Sequence, residues 1–141
     1  MIKKHATVTW QGTGKEGKGS LFTESKVLEN VPFNFASRFE EGPQTNPEEL
    51  IAAAHASCFS MKLSFLLTDA GFPPELIETK CEVTFDTDKG LITQSHLSVN
   101  AKAGAISKEK FDKLITEAKD TCPISKSIKA EITIEAKLST T

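Results

Sequence analysis

Polar and apolar residues alternate along positions 3–11, with Lys3, His5, Thr7 and Thr9 on one side and Lys4, Ala6, Val8 and Trp10 on the other. A period of two predicts a half-buried strand. The run from Gly12 to Gly17 reads as a turn. A second strand follows over 18–24, and a third stretch over 31–37 places Phe33 and Phe35 at alternate positions. Together they predict an N-terminal antiparallel sheet. Residues 38–46 read as a loop that is acidic apart from Arg38.

The next pattern changes period. Asn46 can cap a helix, Pro47 suits its first position, and Glu49 falls three residues after the cap. Glu48 and Glu49 also suit the positive end of the helix dipole. The helix should run to Ala70, with Gly71 as its stop. Apolar residues cover most of its circumference, and a helix of that kind is buried. In so small a domain this predicts a central helix shared with a partner subunit. Strands return over 77–86 and 91–101, joined at Asp88-Lys89-Gly90. Ser107 caps a helix over 108–121, Cys122-Pro123 opens a short third helix, and 130–138 alternates as a last strand. The order is that of an α+β domain.

A length of 141 residues fits one domain spanning 1–141. The formal charge of −2, with lysines scattered along the chain, gives no field suited to nucleic acid. The most apolar window, 50–67, contains His55, Lys62 and three serines, which makes it too polar for a membrane span. No apolar stretch follows the charged N-terminus, so a secretory signal is not expected. Three cysteines, none in a Cys-x-x-Cys pair, do not read as a disulfide framework, and they point to the cytoplasm.

Candidate chemistry is sparse. Cys122 precedes a proline at a helix start, where the dipole favours a thiolate, although a structural cysteine fits there too. Cys58 sits mid-helix, three residues after His55 and on the same face. A metal site would need further ligands from Cys122, Glu48 or His96 at unrelated spacings, so no metal or other cofactor is expected. His55 reads as a packed, hydrogen-bonded histidine and Cys81 as core. Gly14-Lys15-Glu16-Gly17 matches a nucleic-acid clamp in letters, but it joins two strands and reads as a hairpin turn. Arg38 is the single arginine beside 16 lysines. A planar fork of fixed charge is what lysine cannot replace, although a lysine-rich chain can keep one arginine by chance.

The stretch Arg38-Phe39-Glu40, then Thr45-Asn46-Pro47-Glu48-Glu49-Leu50-Ile51-Ala52-Ala53-Ala54-His55-Ala56-Ser57-Cys58, resembles the signature of the OsmC family. These are osmotically inducible, organic-hydroperoxide-detoxifying proteins, a group that includes the Ohr proteins. Cys122-Pro123-Ile124-Ser125 matches the family's second mark, and the likeness extends over essentially the whole chain, closer to the OsmC branch. One position departs from the pattern: Gln44 stands where glycine usually precedes Thr-Asn-Pro, and Gly42-Pro43 is expected to supply the turn instead.

The resemblance implies antiparallel sheets wrapped around long central helices in an intertwined homodimer. It implies a thiol peroxidase that reduces organic hydroperoxides, with Cys58 as the peroxidatic and Cys122 as the resolving thiol. Arg38 would contact the Cys58 thiolate, and Glu48 would orient the guanidinium, both from the other subunit. A dithiol reductant would reopen the Cys58–Cys122 disulfide, a part that lipoyl proteins play in the Ohr branch. Helix geometry fits this division, because ten residues separate Glu48 from Cys58 by about 15 Å along one helix. Phe39, Phe59, Met61 and Ile124 would give the site an apolar lining. A non-enzymatic protein of the same fold, holding a hydrophobic ligand between subunits, is the alternative.

Overall fold

The computed structural model describes residues 1–139. The chain divides into two compact units, Met1–Leu50 and the remainder from Ile51. In the first, strands β1 (Ala6–Gln11), β2 (Lys18–Thr23) and β3 (Val31–Phe33) form an antiparallel sheet in that order. Trp10 and Phe33 pack across it with ring centroids 5.4 Å apart. Residues 3–5, expected in the first strand, lie outside it.

The third strand is also shorter than its alternation predicts, because a helix replaces its end. Helix α1 (Phe35–Phe39) begins at Asn34, whose side chain accepts from the Ser37 N–H at 2.9 Å. Phe35 and Phe39 then meet one turn apart at 4.8 Å between centroids. Arg38 therefore sits in the last turn of a helix and not in a loop.

Helix α2 (Pro47–Asp69) starts as the capping signals predict, with the Glu49 N–H donating to Asn46 Oδ1 at 2.7 Å. It ends at Gly71, whose φ of +91° suits glycine. There the Phe72 N–H donates to Leu67 O and the Gly71 N–H to Thr68 O, which satisfies the last carbonyls in a Schellman arrangement. By length and composition α2 could cross a membrane, against the expectation that it is too polar. One stripe of it lies in the protein core, where Phe59, Leu63 and Leu67 have no exposed surface. On the helix His55 bonds to two serines and Ser60 to Thr79.

The second unit completes the fold with β4 (Leu76–Asp86), β5 (Leu91–Lys102), α3 (Lys108–Thr121), α4 (Pro123–Ser127) and β6 (Glu131–Ser139). The sheet order is β4-β5-β6. β4 and β5 are antiparallel, but β6 runs parallel to β5, so this sheet is mixed where antiparallel pairing was expected. Parallel neighbours need a long crossover, and α3 with α4 provides it. Leu97, Val99 and Ala101 of β5 meet the α2 stripe, Phe111, Ile115 and Ala118 of α3, and Cys122 in one core.

Leu63 is fully buried in that core, so Leu63→Ala should cost about 3 kcal/mol of stability. Val27→Ala, at an exposed turn, should stay within about 0.5 kcal/mol. Urea unfolding midpoints of the two variants check this.

Candidate active site

The four residues singled out in the sequence fall into two pairs, one in each unit. In the first unit, the Arg38 guanidinium grips the Glu48 carboxylate. Nε donates to Oε1 at 3.0 Å and to Oε2 at 3.3 Å, and Nη2 donates to Oε1 at 2.8 Å. Such a fork fixes the orientation of the guanidinium as well as its place. The Arg38 Cζ also lies 5.1 Å from the centre of the Phe39 ring.

Ser37 sets the backbone beside this pair. Its side chain, in a residue only 6% exposed, accepts from the Gln44 N–H at 3.0 Å. Its carbonyl accepts from Asn46 Nδ2 at 3.0 Å. A Cβ at Gly42 would fall 2.9 Å from the Ser37 nitrogen, so the close approach of this loop needs glycine. The bond from position 44 is made by its backbone N–H, so it does not depend on the Gln44 side chain. An apolar cavity of about 520 Å³ opens beside Arg38, lined by Trp10, Phe33, Phe35 and Phe39.

In the second unit, Cys58 and Cys122 bring their sulfurs to 3.0 Å. That is a hydrogen-bonding distance for thiols, about 1 Å longer than a disulfide bond. Both residues are free cysteines in this structure, Cys122 fully buried and Cys58 half-buried. Cys122 closes α3, its N–H donating to Ala118 O, and also opens α4. Burial pushes the Cys58 thiol above its ordinary pKa, and the adjacent Cys122 adds to the rise. A backbone hydrogen bond from Ile124 and the charge of Lys62 oppose this without reversing it.

The expected lining is partly corrected. Phe39 borders the cavity beside Arg38, but Phe59 has no exposed surface and belongs to the core. Met61 is exposed, and Ile124 packs at the edge of the core.

His55 has more partners than the sequence revealed. Its Nδ1 is 2.6 Å from Ser95 Oγ, and its Nε2 is 2.7 Å from Ser125 Oγ. Cys81 Sγ lies 3.1 Å from the same Ser95 hydroxyl and 3.8 Å from Nδ1. These contacts span up to 70 residues of chain. Only the three-residue spacings of His55 to Cys58 and of Cys122 to Ser125 could have hinted at them.

The family model described as OsmC-like protein matches residues 40–137. The chain is 46% identical over 139 residues to the peroxiredoxin OsmC of Escherichia coli, covering 97% of each chain. It is 30% identical over 135 residues to an organic hydroperoxide resistance protein-like 2 of Staphylococcus epidermidis, covering 93% of this chain and 92% of that one. Among solved structures, an OsmC-like protein from Mycoplasma pneumoniae superposes with a TM-score of 0.76 at 10% identity, over 97% of both chains.

Burial lowers the pKa of His55 below its ordinary value. The unfolded chain then binds a proton near pH 6.5 that the folded chain refuses. The stabilisation is complete above that pH and is lost as pH falls through and below it. The urea midpoint should therefore fall between pH 7.5 and 5.5, and fall less in His55→Gln.

Proposed function

Because the chain belongs to the OsmC-like protein family, we propose that it is a thiol-dependent peroxidase that reduces organic hydroperoxides to alcohols. The observation that carries this reading is the 3.0 Å approach of Cys58 to Cys122. Thiols so close can become a disulfide with a shift of about 1 Å.

The cycle has three steps. The Cys58 thiolate attacks one peroxide oxygen, the O–O bond breaks, and the other oxygen leaves as an alkoxide that takes up a proton to become the alcohol. Cys58 is left as a sulfenic acid. The Cys122 thiol then displaces its hydroxyl, so that the S–S bond forms and water leaves. A dithiol reductant restores both thiols and is itself oxidised to a disulfide. A lipoyl group has the required chemistry.

Only the thiolate is nucleophilic, and a free cysteine is about 3% ionised at neutral pH. The environment of Cys58 within its own chain lowers that fraction further. A fixed cation must offset this, and Arg38, held by Glu48, has the required charge and fork. Glu48 and Cys58 are ten residues apart on α2, about 15 Å along its axis. In this reading the cation for one Cys58 comes from a second copy of the chain in a homodimer. Met61 and Phe65, one turn apart and exposed on α2, give that copy an apolar face to cover.

A second reading has its own observation. The aromatic cavity beside Arg38 would suit a hydrophobic ligand held without reaction.

Thiol mapping after one equivalent of cumene hydroperoxide distinguishes the two. The peroxidase should lose about 2 Da as a Cys58–Cys122 disulfide forms and Cys81 stays free. Cys58→Ser should abolish turnover, and Arg38→Lys should slow it far more than Lys26→Ala. Oxidation spread over all three thiols, or none, together with a ligand retained in native mass spectrometry, would favour the binding protein.

A further inference from the structure

The hydrogen bonds of His55 connect the two segments that carry the thiols. His55 precedes Cys58 by three residues on α2, and Ser125 follows Cys122 by three in α4. The His55–Ser125 bond and the Cys58–Cys122 contact thus link the same two segments at neighbouring points, one at 2.7 Å and the other at 3.0 Å. We propose that His55 is a positioning residue that ties α4 to α2 through Ser125 and so holds Cys122 in register with Cys58. This rests on the dithiol cycle proposed above.

Helix α4 is held at its start, where Ile124 packs at the edge of the core and its backbone meets Cys58, and the tie adds a second point of attachment. The helix has five residues, too few to be stable alone. Its start at Cys122 has no side-chain cap, and the Ser127 hydroxyl bonds within the helix, to Pro123 O at 2.7 Å. The His55–Ser125 bond reaches outside α4. The imidazole is itself held from the far side, where Ser95 of β5 meets Nδ1 at 2.6 Å and Cys81 Sγ backs that hydroxyl at 3.1 Å. A ring wedged between two hydroxyls cannot rotate without losing one bond. His55 and Ser95 have no exposed surface, so on that side water cannot replace a lost bond.

Fixing two groups against each other raises their effective concentration. The tie should therefore favour the disulfide over the dithiol. In a glutathione buffer the exchange balances without peroxide: Cys58 and Cys122 give up two protons and two electrons, and oxidised glutathione becomes two reduced molecules.

The test equilibrates the full-length protein in glutathione buffers of graded ratio, alkylates free thiols and quantifies the Cys58–Cys122 disulfide by peptide mapping. Ser125 is only half-buried, so Ser125→Ala should fold. Its disulfide-formation constant should drop about tenfold, a potential about 30 mV less negative. Ser125→Thr keeps the hydroxyl and should restore the constant, while Ser127→Ala should leave it unchanged. A Ser125→Ala constant within twofold of the native one would overturn the tie. So would a Ser125→Thr constant as low as that of Ser125→Ala, since packing would then be the cause. A native protein that forms the disulfide with glutathione but not with cumene hydroperoxide would sink the peroxidase reading and leave the tie standing. No Cys58–Cys122 disulfide at any buffer ratio would overturn both.

Discussion

The contact between Cys58 and Cys122 joins points 64 residues apart and tolerates little error. A shift of about 1 Å one way makes a bond, and the same shift the other way loses the contact. Everything around it supplies that accuracy. Helix α2 is anchored by Phe59, Leu63 and Leu67, which have no exposed surface. Helix α3 is anchored by Phe111, Ile115 and Ala118 on the same core, and it delivers Cys122 at its end. Close packing makes such a core stiff, and stiffness is what the proposed reaction would require of the pair.

Burial that fixes the pair also works against its chemistry. The surroundings that hold Cys58 still are apolar, and they keep its proton on. In the proposed peroxidase the core would supply accuracy, and a charged fork preset by Glu48 beside a loop locked on Ser37 would supply reactivity.

Much of this was legible in the sequence, for local reasons. Asn46, Ser107 and Gly71 mark the ends of α2 and α3 because caps act within a few residues. Helix α1 escaped because Phe33 and Phe35 imitate a strand, and five residues are too few to show a helical period. Asn34 was the available signal, as a capping residue ahead of the segment. The parallel pairing of β6 was not legible, since alternation gives the faces of a strand and not the direction of its neighbour. Phe59 could have been placed correctly, because it shares a stripe with His55 and Leu63. The partners of His55 could not, since Ser95 and Ser125 lie 40 and 70 residues away.

The parallel pairing of β5 and β6 has a consequence for the chain as it is made. The segment returning from one strand to the other carries Cys122, and a connection of that kind closes only when both strands are in place. A growing chain therefore presents Cys58 and Cys81 before the thiol that belongs beside Cys58 has been fixed. An oxidant arriving in that interval meets solitary sulfurs, and what it makes of them can pass beyond the stage a dithiol repairs. The crossover that sets the two sulfurs side by side is thus among the last parts of the fold to close.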